Sequence, residues 1–289
     1  MSATLLKFFA LFFMTLDHIY DYFPGSPLFF KWIGRISAPI FLFLSCESYR
    51  HTSKKIKYMI RLYISSLLMG IINFWSLSKY KDIPNNIFRT LLIAVLSYYI
   101  YDKIKEKKYK YFYVYTIWQL FAYIFMVCIL QISKFNEEFI VRVVAPLLGS
   151  VFYVEGGLLF IILSLLFYIF HNRKLLLSLS FTGFAVTYTA LFQFNILERT
   201  RNYLDRISGH ILGEIFFFIS VTILNIAPMN IYEHSLLYDN YVWMMLLSIP
   251  FILSYNGKRG IGMRYFFYLY YPLHLIILSI ISFEFSVSY

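Results

Sequence analysis

Charge is scarce in this 289-residue chain: only 14% of its residues are Asp, Glu, Lys or Arg. So little polar surface cannot coat a soluble globule, and a water-soluble domain is excluded on composition. Cysteine is scarcer still. Cys46 and Cys128 both lie inside apolar runs, so neither a disulfide framework nor a zinc site is expected. Alternating ten-residue strands are lacking, which argues against a transmembrane barrel. Low-complexity tracts and internal repeats are lacking too.

What the chain has instead is apolar and aromatic: 60% hydrophobic residues, with 27 Tyr and 32 Phe, more rings than a soluble core absorbs. Lipid-facing and interfacial positions accept both. Apolar segments run at 4–23, 28–49, 58–77, 86–101, 111–132, 139–153, 156–170, 174–194, 209–228, 241–254 and 265–284. A span needs about 20 residues, so the shorter ones read as half-helices or re-entrant segments. The expected fold is all-α, a polytopic transmembrane helical bundle of about 9–11 membrane segments forming one domain over 1–289. The first run is long enough to span and carries Asp17 and His18, so it reads as a span and not a cleavable leader.

The 26 Lys and Arg outnumber 15 acidic residues, and they cluster between apolar runs. That points to the positive-inside bias of a multi-pass protein of the cytoplasmic membrane, with the lipid bilayer as partner and no nucleic acid. If 139–170 is a hairpin turning at Glu155-Gly156-Gly157, cytoplasmic connections, 195–208 and 255–264 among them, collect 16 Lys and Arg against 8 outside; a single crossing gives 12 against 12. The hairpin, with the N-terminus inside, is the expectation.

Ionisable groups inside spans cost roughly 2.5–3.5 kcal/mol each at a helix centre, so each is a functional candidate. Asp17 and His18 sit in LDHIYDYF, and Arg35 sits in WIGRISAPIF at the start of the next span. At about 1.5 Å per residue, the two antiparallel helices place His18 and Arg35 at similar depth. The second span ends in FLSCESYRHT, which brings Glu47, Arg50 and His51 to the cytoplasmic edge before Lys54, Lys55, Lys57 and Arg61. Such an edge suits either the phosphates of a cofactor or anionic headgroups. Toward the C-terminus, YNGKRG carries Lys258 and Arg259, and FFYLYYPLHL carries His274. Glu155, Asp205, His210 and Glu214 are weaker candidates; His171 and His234 read as interface residues. No histidine pair has metal-ligand spacing and no Gly-x-Ser-x-Gly elbow occurs, so no metal and no serine nucleophile are expected. General acid/base chemistry by His and carboxylate, with cations for an anionic donor, remains.

The segments LDHIYDYF, WIGRISAPIFLFLSCESYRHT, KYMIRLY and YNGKRG…FFYLYYPLHL, in this order, resemble the TraX family. PNNIFRTLLI (84–93) is similar to a further family stretch, which Arg89 interrupts, and Ser45-Cys46 depart from the apolar residues commoner before Glu47. The resemblance implies a bacterial integral-membrane acyltransferase, of the type associated with acetylating a pilin N-terminus. Acetyl-CoA would be the acyl donor, and a peptide, pilin-like protein or surface glycan the acceptor. It points to Asp17, His18, Arg35 and His274 for catalysis, and to Glu47, Arg50, His51 and Arg61 for the donor, with Lys258 and Arg259 as further cations. The competing class is a transporter or immunity-type membrane protein that uses the same groups as a proton or substrate path.

Overall fold

A computed structural model describes residues 1–77, 82–83, 86–132, 137–224 and 235–287. Among these residues the chain is all-α. In order it forms α1 (Ala3–Tyr22), α2 (Phe29–Gly34), α3 (Ser37–His51), α4 (Lys55–Leu77), α5 (Ile87–Lys105) and α6 (Lys110–Ile132). There follow α7 (137–148, with a π-helical centre), α8 (Gly157–Phe170), α9 (Lys174–Gln193), α10 (Ile196–Ser208) and α11 (211–223). The last two are α12 (241–253, mostly 3-10 helix) and α13 (Arg264–Val287). Six stretches are long and apolar enough to cross a membrane: α1, α2 with α3, and most of α4, α6, α9 and α13. Ile117, Leu120 and Ile124 on α6 are exposed, as lipid-facing residues of a multi-pass membrane protein are.

The second span is not one continuous helix. Pro39 lacks the N–H that would bond the Arg35 carbonyl, so the ladder fails there. Arg35 and Ile36 close tighter turns onto Trp32 and Ile33, and the Ser37 hydroxyl donates to the Gly34 carbonyl at 2.8 Å. The break leaves Arg35 at a helix junction.

Hydrogen bonds between helix ends define two faces. On the N-terminal face the Met1 ammonium donates to the Ser254 carbonyl, and Ala3 N–H to Lys258 O at 2.9 Å. Asp102, near the end of α5, accepts from Lys55 at 3.0 Å and from Tyr168 at 2.6 Å. Lys174 reaches Leu253 O at 3.4 Å. On the far face Tyr22 donates to Asp82 O at 2.9 Å, Ser282 donates to Tyr22 O, and Asn240 donates to Gln193 at 3.1 Å.

The expected 139–170 hairpin is different in the structure. Helix α7 starts near the far face, where Arg142 binds Asp82, and dips inward until Tyr63 and Trp118 donate to Leu147 O and Leu148 O. The chain turns at Gly149, whose φ of +58° suits glycine, and climbs back through a run of bends and turns until Thr90 holds Glu155 O at 3.0 Å. Gln119 and Arg89 bond the carbonyls of Gly149 and Phe152. Non-helical backbone at membrane depth is tolerated because these side chains satisfy it. Only α8 then crosses, so Arg173 and Lys174 lie on the N-terminal face.

Helices α10 and α11 form a second departure from that reading. They pack as a hairpin that starts beside Phe192 and returns to the far face, where Leu158 N–H meets Leu224 O at 3.2 Å. The connection 195–208 therefore leaves from the far face, while 255–264 stays on the N-terminal face. Moving three arginines one way and two cations the other leaves the loop bias at 15 to 9.

Candidate functional site

Asp17 and His18 lie five and four residues before the end of α1, facing α2 and α13. Lys31 of α2 bridges two carboxylates, Asp21 at 2.6 Å and Asp17 at 3.3 Å, and Arg35 stands 4.0 Å from Asp17. Gly34 makes this approach possible, because a Cβ there would land on the Asp17 side chain. The expected convergence of Asp17, His18 and Arg35 is present. Lys31, which is not among the sequence candidates, is its tightest ion-pair partner.

His18 is 3% exposed, and its ring lies 5.4 Å from that of His274 on α13. His274 stacks on Tyr270 at 5.1 Å, and its Nδ1 meets the Tyr270 carbonyl at 2.9 Å. A carbonyl only accepts, so Nδ1 carries the proton and Nε2 presents a lone pair. Neither that Nε2 nor the Nδ1 of His18 has a hydrogen-bond partner among the described residues. Asp17 makes no hydrogen bond to His18 either; its partners are the two cations.

Asp17, His18 and Asp21 also bring one ligand atom each within 4.8 Å of one another. The Lys31 ammonium already sits on both carboxylates, so an ion there would have to displace a cation the fold supplies.

A cavity of about 540 Å³ opens on the N-terminal face. Lys7, Lys54, Lys57, Arg61 and Arg259 are in its lining, and Leu11, Leu44, Leu91 and Phe267 give it apolar walls. Its inner end reaches Ile87, Phe88 and Tyr271. The loop carrying Arg259 is held against the N-terminus: Thr4 donates to the carbonyls of Arg259 and Ile261 at 2.9 and 2.7 Å. Gly260 allows this with a φ of +77°, where a Cβ would press on Ser2 Oγ.

The structure sorts the predicted donor residues. Glu47, His51, Arg61 and Arg259 line the cavity, whereas Arg50 and Lys258 do not. Arg50 is bound to Glu47 at 2.9 Å, one helical turn back, and His51 lies 3.3 Å from the same carboxylate. Burial pushes the Tyr255 phenol in the wall above its usual range, and the Glu47 charge adds to the shift. Lys54, in the turn between α3 and α4, and Lys57, in the first turn of α4, are exposed and contribute to the cavity lining. Lys7 was missed because nothing in α1 alone says that it faces the 255–264 loop; it lies over the Phe267 ring at 5.2 Å.

The weaker candidates lie elsewhere. Asp205, His210 and Glu214 belong to the α10–α11 hairpin, where Arg201 pairs with Glu214 at 2.6 Å and His210 lies 3.6 Å from Asp205. His171 bonds the Tyr168 carbonyl at 2.7 Å on the N-terminal face. His234 lies outside the described residues.

A buried histidine pair beside a carboxylate–cation cluster, approached by a basic-mouthed cavity within a helical bundle, defines a polytopic membrane protein with a built polar site. The family described as TraX protein matches residues 2–282, and the chain belongs to the TraX family. No curated protein and no solved structure matches it.

Proposed function

We propose that the protein is a membrane-embedded acyltransferase that moves an acetyl group from acetyl-CoA to an amine or hydroxyl of a peptide, pilin-like protein or surface glycan. The observation that carries the reading is the cavity: cations at its mouth, apolar walls along its length, and an inner end one aromatic ring away from His274. Its residues fit the donor. Arg61, Lys54, Lys57, Arg259 and Lys7 would meet phosphates, and the apolar walls suit a flexible thioester arm. The loop bias of 15 to 9 supports a cytoplasmic N-terminal face in the cell membrane, the compartment that holds acetyl-CoA.

The donor supplies an activated acyl group, whose carbon–sulfur bond breaks as a carbon–nitrogen or carbon–oxygen bond forms. His274, with its proton held on Nδ1, offers Nε2 to take the acceptor's proton. His18 lies against it and would share that charge, and Arg35, beside Asp17, would stabilise negative charge developing on the acyl oxygen. Lys31 and Arg35 together hold the Asp17 carboxyl group beside the pair.

The test is acetyl transfer from labelled acetyl-CoA in membranes that contain the protein and its acceptor fraction. Parent protein should label the acceptor, and His18→Ala and His274→Ala, inserted at equal levels, should lose labelling by about 100-fold or more, the usual contribution of a general base. Full labelling by both variants would remove the pair from the chemistry and the proposal with it.

A further inference from the structure

The cavity stops short of the histidine pair, and a single ring stands between them. Tyr271 lies 5.1 Å from Phe88 on the cavity side and 5.6 Å from His274 on the other. It is 3% exposed, yet its hydroxyl is not idle: it accepts the Ile87 N–H at 3.2 Å. That amide belongs to the first turn of α5, where helical N–H groups have no partner within the helix. The bond therefore satisfies a buried donor and also fixes the ring across the end of the cavity. A phenol tethered in this way cannot swing aside without leaving that donor bare.

Tyr271 also sits one turn before His274 on α13, so the wall and the base move as one body. A thioester whose acyl group ends against the ring has that ring between it and His274, whose own ring centroid lies 5.6 Å beyond. A longer acyl chain needs the volume that the ring fills, and close-packed, tethered walls do not yield to extra methylenes as flexible ones do.

We infer that Tyr271, backed by Ile87 and Phe88, is the residue that limits the length of the acyl chain the site accepts. The inference rests on the acyl-donor reading of the cavity and adds to it the chemical class of donor, a short-chain acyl thioester, and the residue that selects it. No catalytic role is needed for the phenol. Its part is to end the cavity at the place where the reacting carbon must stop.

The experiment uses the full chain in detergent or nanodiscs and measures binding of CoA and of acetyl-, butyryl-, hexanoyl- and octanoyl-CoA by calorimetry. In the parent, affinity should fall from acetyl to hexanoyl by about ten-fold or more, the low end of what a misfitting methylene costs in a closed pocket. In Tyr271→Ala the ratio of hexanoyl to acetyl affinity should rise by at least about ten-fold on the same basis. Ile87→Ala widens the same end and leaves the backbone amide and its hydrogen bond in place, so it should shift the ratio in the same direction by less. It keeps the test decisive if Tyr271→Ala does not fold. Tyr271→Phe keeps the ring but loses its tether to the Ile87 N–H, so it should shift the ratio in the same direction as Tyr271→Ala and by less. Equal binding of all chain lengths by the parent, or an unchanged ratio in variants that still bind CoA, overturns the inference and leaves the donor reading standing. Failure of the parent to bind CoA itself overturns the donor reading, and the inference falls with it.

Discussion

Replacing Lys31 by Met removes the ammonium that Asp17 and Asp21 share at 3.3 and 2.6 Å and leaves Asp17 with Arg35 alone, 4.0 Å away. At an effective dielectric of about 20, unit charges at such separations attract by roughly 4–6 kcal/mol before desolvation is counted. Asp21 is 42% exposed, so water screens its share, and Asp17 carries most of the loss. Removing one partner of a fully buried pair costs about 3–5 kcal/mol. With one carboxylate partly exposed, the expected destabilisation is about 1–3 kcal/mol. A double-mutant cycle isolates the contact. Lys31→Met, Asp17→Asn and the double variant are unfolded by heat or denaturant in the same micelles. The second substitution should be partly redundant with the first, giving a coupling of about 1 kcal/mol or more. Effects that simply add, within about 0.5 kcal/mol, would show that Lys31 does not hold Asp17 and would refute the ion-pair account of the cluster.

Two further outcomes are expected. Gly34→Ala should destabilise the bundle by about 1–3 kcal/mol, since the new methyl meets an Asp17 side chain already pinned by Lys31; unchanged stability would mean that α1 and α2 stand further apart than the structure has them. With Cys46 and Cys128 replaced by Ser, single cysteines at Lys107, Arg173 and Lys258 should react with an impermeant thiol reagent from one face, and those at Arg199 and Tyr238 from the other. Labelling of Arg199→Cys together with Lys107→Cys would restore the hairpin reading of 139–170.

The sequence made the fold class and half of the buried ionisable groups, His18, Glu47 and His274, readable, because length, hydropathy and the cost of an ionisable group in a span act locally. His18 and Arg35 could be set at one depth from residue rise alone. What could not be read was anything that depends on how one segment lies on another. The 139–170 region looked like a simple hairpin because a re-entrant segment and a span are equally apolar; only the side chains of Tyr63, Arg89, Trp118 and Gln119, from three other helices, reveal that its non-helical part is bonded at depth. The pairing of Arg50 with Glu47 was visible as a one-turn spacing, yet whether Arg50 faced the cavity was not. Nothing in the local sequence singles out Lys31 or Lys7, and Tyr271 is one ring among many in FFYLYYPLHL. Each acquires meaning from a neighbour far away in sequence: Asp17, the 255–264 loop and the Ile87 amide.

The central claim is that the basic cavity on the N-terminal face takes the phosphates of an acyl-CoA, and it is tested most directly by acetyl-CoA binding at rising salt. Arg61 lines the cavity from α4 and Arg259 from the 255–264 loop, whereas Arg50 is paired with Glu47 and is not in the lining. Phosphate contacts at an aqueous mouth are screened by salt, so parent affinity should fall steadily as ionic strength rises. Arg61→Gln with Arg259→Gln should weaken binding by about ten-fold or more at low salt and flatten that dependence, since each charge-assisted bond contributes on the order of 1 kcal/mol or more. Arg50→Gln should leave binding close to the parent's. Binding that is indifferent both to salt and to the loss of Arg61 and Arg259 would contradict the account and place any donor site elsewhere in the molecule.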